Sequence, residues 1–123
     1  MPIDSDKMTR ILHNFVSKIS DVEGAAVVTP DGLPLASSLP GGIDDVRVSA
    51  MSATMLSLGE KVGAELAKGG MDQISVASGE GFSILTNCGN DAVLIVLAGK
   101  DAKQGVLQLE IQRIVSDLKV AMR

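Results

Sequence analysis

His13 is the one histidine of this 123-residue chain, and it is where acid–base chemistry would have to start. It shares the polar side of a helical stretch with Arg10 and Ser17. A nucleophile–base pair needs a second segment that brings a serine or cysteine to the imidazole, and none is evident. His13 therefore reads as a solvated surface side chain. Cys88, the only cysteine, sits in the turn Cys88-Gly89-Asn90-Asp91 with no cationic sequence neighbour to activate it. It reads as a partly exposed, ordinary thiol. Asp44 and Asp45 resemble a carboxylate pair, but they stand where a helix begins, and capping accounts for them. Asp21 and Glu23 flank a turn. Metal ligation needs His, Cys or carboxylates clustered at ligand spacing, which the sequence lacks. Gly79-Glu80-Gly81 has neither the lysine nor the following helix of a phosphate loop. These residues predict no catalytic site, no cofactor and no metal.

Composition narrows the remaining classes. The chain is long enough for one domain, taken as residues 1–123, with one real core. Phe15 and Phe82 are its only aromatics. Pockets for small molecules and platforms for stacked bases both use aromatics, so a small-molecule sensor is the second reading and nucleic acid is not expected. The net charge is −4, and no basic cluster offers a footprint for nucleic acid or an anionic membrane. No apolar run approaches the ~20 residues that span a bilayer. The start, Met-Pro-Ile-Asp-Ser-Asp-Lys, is too polar for a signal peptide, and one unpaired cysteine suits a reducing compartment. A cytoplasmic protein is expected.

The elements follow from periodicity and punctuation. Met8, Ile11, Leu12, Phe15, Val16 and Ile19 predict a first helix from Ser5 to Ser20, with Asp4 or Ser5 as its cap. Gly24 precedes a strand from Ala25 to Thr29, and Pro30-Asp31-Gly32 is a turn. The return strand, Leu33 to Ser37, contains Pro34 and so belongs at an edge. A second helix is capped by Asp44 or Asp45 and stops at Gly69-Gly70. Gln73–Ala77, Phe82–Asn87 and Ala92–Ala98 are three strands at hairpin spacing. The last of these is apolar throughout, so helices must cover both faces of the sheet. A third helix runs from Ala102 to Met122. Gly105 near its start costs about 1 kcal/mol relative to Ala, which a close packing partner would explain. The order is α-β-β-α-β-β-β-α around a mainly antiparallel sheet.

The second helix is unusual. From Val46 to Gly59 it carries one charge, Arg47, and it lacks a polar back. Such a helix is usually buried on both sides. A chain this short has little to cover the second side, so another protein chain is expected there. Met51 and Met55 suit either a core or an adaptable binding surface. With Met51, Met55 and Leu58 on the sheet, the partner-facing residues would be Ser52, Ala53, Leu56, Gly59, Glu60 and Gly63; Met55, which suits a core and an interface equally, is a further interface candidate.

In order and spacing these segments resemble the Roadblock/dynein light chain family. The resemblance rests on Gly24-Ala-Ala-Val-Val-Thr-Pro-Asp-Gly-Leu-Pro-Leu-Ala-Ser-Ser38, the small residues of Ser49–Gly59, and Gly105 and Glu110 in a helix with Arg113. It covers nearly the whole chain. It implies a five-stranded antiparallel sheet with helix 2 on one face and helices 1 and 3 on the other. It also implies a dimer in which third strands pair edge to edge and second helices lie side by side. Ile74, Ser75 and Val76 would then join the interface. Family members serve as noncatalytic platforms for Ras-like small GTPases, or belong to dynein and lysosomal scaffolds. A bare third strand agrees, since an unpaired edge is an aggregation hazard.

Overall fold

The computed structural model describes residues 4–122. Three residues at one end of the expected domain and Arg123 at the other lie outside them. The elements are α1 (Ser5–Lys18), β1 (Val22–Val28), β2 (Pro34–Ser38), α2 (Asp45–Glu65), β3 (Gln73–Ser78), β4 (Gly81–Asn87), β5 (Val93–Gly99) and α3 (Gln104–Ala121). The sheet order is β2-β1-β5-β4-β3, and every neighbouring pair is antiparallel. The apolar strand β5 sits at the centre, so both of its faces need cover, and both receive it.

On one face α1 and α3 close a core with Met8, Leu12, Phe15, Val27, Leu94, Val96, Ile111 and Leu118. On the other, α2 covers Ala26, Val28, Leu85, Val93 and Ile95. Alternation along β1 sends Ala25 and Val27 to the first core and Ala26 and Val28 to the second. The helix starts behave as expected. The carboxylate of Asp4 accepts from Lys7 N at 3.0 Å, and that of Asp44 accepts from Val46 N at 3.0 Å.

Three local readings change. β1 begins at Val22 and runs through Gly24, where a Cβ would stand 2.9 Å from Pro40 Cδ, so the glycine makes room for the chain crossing beside it. Helix α2 stops at Glu65, before the two glycines. Its last turn is closed by Lys68 N donating to Gly63 O at 2.7 Å while Ala67 and Gly69 take positive φ. Gly105 faces open space, so no close packing partner explains it.

Cys88 is buried, not partly exposed, and lies under α3 with its Sγ 3.9 Å from Val115 O. Burial pushes its pKa up to about 11, against a smaller opposing pull from Lys119. The folded state thus holds the thiol proton more tightly than the unfolded state, whose pKa is near 9.0. Stability linked to this group is intact below about pH 9 and falls as pH rises toward 11. We expect a thiol reagent at pH 8 to modify Cys88 only through opening of the fold. Denaturation curves from pH 8 to 11 should fall less steeply for Cys88→Ala than for the parent.

Candidate functional site

The sheet has two edges, and the sequence treats them differently. β2 is five residues long, begins with Pro34, and its pairing with β1 is interrupted by a register shift at Val27/Val28. A proline and a bulge both blunt an edge against pairing with another chain. β3 is six residues, Gln-Ile-Ser-Val-Ala-Ser, with no proline or charge, and it pairs with β4 without a shift. Every residue of β3 except Ile74 is exposed. It is held on the α3 side by Gln73 and Gln108, whose amides exchange two hydrogen bonds at 3.0 and 2.8 Å. Gln73 also donates to Thr86 at 3.0 Å.

Helix α2 lies beside this edge, rotated from the expected orientation. Ser52, Leu56 and Gly59 were expected to face a partner. Instead they point into the chain's own core, with Val48 and Ser49. Ser52 is fully buried and could add no area to an interface. The physical reason is close approach. The segment after α2 folds back across it, and Gly59 and Gly63 leave room for the crossing. A Cβ on Gly63 would collide with the carbonyl oxygen of Gly69, and one on Gly59 with the sulfur of Met71. Asn87 fixes that segment by donating its side-chain amide to Met71 O. The buried serines cost little because each satisfies its hydroxyl within the helix. Ser49 donates to Asp45 O at 2.7 Å and Ser52 to Val48 O at 2.8 Å.

The expectation that Met51 and Leu58 meet the sheet is reversed for the same reason. Met51 is 53% exposed, Leu58 59% and Val62 48%. Met55 is half-buried at the border of the α2-side core, so it belongs to both surfaces of the helix. The sequence did carry a signal for this rotation, because glycines and self-satisfied serines fit a close contact better than methionine and leucine do. Gly63 is half-buried and Glu60 exposed.

The exposed flank of α2 overlooks β3. Met51 lines one groove with Ser78 and Ser83, and Gly59 abuts Ile74. The other flank abuts the β1–β2 turn, where a Cβ on Gly32 would stand 3.3 Å from that of Ala53. Ile74 and Val76 fall on the α2 side of β3 by alternation, and Val76 is 44% exposed. Ser75 falls on the other face. Met51, Met55, Leu58, Val62, Ile74 and Val76 therefore form one apolar surface beside an open strand. Solvent-exposed apolar patches of this kind mark interaction sites.

Chemistry is sparse elsewhere. Asp31 is held below its usual pKa by the Thr29 hydroxyl, 2.5 Å away, inside the turn the two residues build. No group of three His, Cys, Asp or Glu able to hold a metal occurs among the described residues. No helix among them is long and apolar enough to cross a membrane. The groove beside Met51, about 470 Å³, is an open surface feature.

An antiparallel five-stranded sheet between one helix and two, with an open edge continuous with an apolar helix flank, defines a domain of the α+β class. The chain belongs to the Roadblock/LC7 domain family, whose model matches residues 8–98. An uncharacterised protein of Methanocaldococcus jannaschii is 28% identical over 104 residues, which is 85% of this chain and 90% of that one. A Roadblock/LC7 domain from Streptomyces avermitilis superimposes with a TM-score of 0.84 at 21% identity, covering 90% of this chain and 93% of that chain. Myxococcus xanthus MglB does so with a TM-score of 0.88 at 13% identity, covering 97% and 90%.

Proposed function

We propose that this chain is a noncatalytic homodimeric platform that binds, and regulates or localises, a Ras-like small GTPase in the cytoplasm. The carrying observation is the open β3 edge continuous with the exposed apolar flank of α2. Joining two β3 edges makes one ten-stranded sheet, ends the hazard of a bare strand, and leaves the blunted β2 strands outermost. The flank supports the same pairing. Met51, Met55, Leu58 and Val62 are separated by four, three and four residues, a spacing that reads alike in both directions. Two antiparallel copies of α2 can therefore set Met51 against Val62 of the second copy and Met55 against Leu58 of the second copy. This self-complementarity is what a two-fold interface requires.

The outward ridge of α2 carries Ala50, Thr54, Ser57, Lys61 and Ala64, and two such ridges side by side would form a low, broad landing surface. A solved MglB with a tetrameric arrangement, with a TM-score of 0.87 at 13% identity, supports self-association in proteins of this fold. The GTPase assignment rests on the family. The test is binding of the purified protein to the small GTPases of its own organism, each loaded with GDP or with a nonhydrolysable GTP analogue. Binding that depends on the nucleotide and is lost in Ser57→Arg supports the reading. Absence of binding in both nucleotide states overturns the GTPase part.

A further inference from the structure

A groove of about 470 Å³ runs beside the first turns of α2. The sheet beneath it is incompletely covered. Leu97 and Ser83 pair across β5 and β4 on the α2 side and are only half-buried, whereas the next pair on that face, Ile95 and Leu85, is buried. Apolar side chains reach the groove from three elements: Ile43 from the loop before α2, Val48 and Met51 from the helix, and Leu97 from β5. Ile43 and Met51 stand exposed, so hydrocarbon meets water here. At one end Gly81 takes a φ of 151°, and a Cβ on it would collide with Ala98 O, so no side chain fills that end of the floor.

Charge around the groove is one-sided. Glu23 of β1, Asp44 at the start of α2 and Glu80 of the β3–β4 turn line it, with Arg47 as the lone base. The ion pair found among the described residues, Arg113–Glu110, involves none of the four. Asp44 spends one oxygen on Val46 N, at 3.0 Å. Glu23 lies over Gly99, where a Cβ would stand 3.3 Å from its Oε2. Three carboxylates from three elements thus border a mainly apolar floor.

A small ligand is poorly served, because such ligands are held by burial of most of their surface and by a few convergent polar groups, and this groove is open. A second copy of the chain is poorly served too. In the antiparallel arrangement proposed above it brings Glu65 to this end of α2, which can pair with Arg47 and leaves the three carboxylates facing another acid. An apolar side chain flanked by lysine or arginine answers both features, with hydrocarbon on Val48, Met51 and Leu97 and cations on the carboxylates. We propose that this groove docks a short basic–apolar peptide segment of another protein. The groove lies within one chain, so the proposal stands whether or not two copies pair.

The test is an amide-shift titration of the full-length protein by NMR with the capped peptide Lys-Leu-Leu-Arg. Capped Glu-Leu-Leu-Glu and Lys-Ser-Ser-Arg are the controls for charge and for apolar contact. Saturable shifts are expected at residues 42–51, 78–83 and 97–98, with half-saturation on the order of 100 micromolar. Raising salt from about 50 to about 500 mM should weaken binding several-fold. Glu23→Lys combined with Glu80→Lys should weaken it by at least about tenfold, and Ile43→Ser by a smaller factor. All three positions are exposed, so the fold should persist. Equal binding of either control peptide, shifts linear in concentration, or binding unchanged in the double variant overturns the proposal. So does saturable binding to Leu58→Glu but not to the parent, since a second copy would then be what occupies the groove.

Discussion

Gly63→Ala is expected to destabilise the folded protein by about 3 kcal/mol or more, measured as a loss of denaturant midpoint. The sign opposes intrinsic propensity, because alanine in place of a helical glycine ordinarily gains about 1 kcal/mol. The added methyl group would collide with the Gly69 carbonyl oxygen. That atom is backbone, in a turn closed by the bond from Lys68 N to Gly63 O, so relief requires moving the end of α2 away from the returning chain. Gly59→Ala should cost less, about 1–2 kcal/mol, because it meets the flexible side chain of Met71, which can rotate aside. Gly105→Ala supplies the control. Its Cβ would meet nothing within 4 Å, and the substitution should stabilise by up to about 1 kcal/mol. Equal effects at Gly63 and Gly105 would refute the crossing as the reason for glycine in α2.

The same crossing shows why one part of the molecule was legible in the sequence and another was not. The central place of β5, the edge place of β2 and the starts of two helices follow from signals with a single physical reading: a uniformly apolar β5, Pro34 in β2, and Asp4 and Asp44 before helices, whereas the sharing of the helices between the two faces and the edge place of β3 came with the family resemblance. The rotation of α2 has no such signal in hydropathy. Met51, Leu58 and Val62 on one flank, and Val48 and Leu56 on the adjacent one, are equally apolar, so hydropathy alone leaves the buried side undetermined. Size decides. The face carrying Ser49, Ser52, Gly59 and Gly63 approaches the sheet and the returning chain closely, and the bulkier flank is left outside. Cys88 escaped for a related reason: its turn is covered by α3, which lies some 27 residues further along the chain.

That rotation changes which substitution should separate two copies of the chain. Leu56→Glu or Gly59→Arg would place charge in the chain's own core, and loss of the dimer would then follow from damage to the fold. Leu58→Glu is the discriminating variant, because Leu58 is 59% exposed and the folded monomer loses little. The parent should sediment as a dimer at micromolar concentration, at twice the 12.7 kDa chain mass. Leu58 lies next to the two-fold axis, so each pair would acquire two carboxylates facing Met55 and each other across a desolvated contact. Burying an unpaired charge costs several kcal/mol, so at least a hundredfold loss of affinity is expected, with an unchanged circular dichroism spectrum. A finer test of the antiparallel arrangement uses Arg47 and Glu65, which flank the apolar stripe near opposite ends of α2. The two-fold operation brings Arg47 close to Glu65 of the second copy. Arg47→Glu alone should weaken the dimer several-fold, and Arg47→Glu with Glu65→Arg should restore most of the loss, a coupling of about 0.5–1 kcal/mol at each of two exposed pairs. A monomeric parent would remove the two-fold interface altogether. A dimeric parent in which Leu58→Glu stays dimeric would move that interface off α2. A dimer that Leu58→Glu breaks, but without Arg47–Glu65 coupling, would retain α2 as the contact and exclude the antiparallel register.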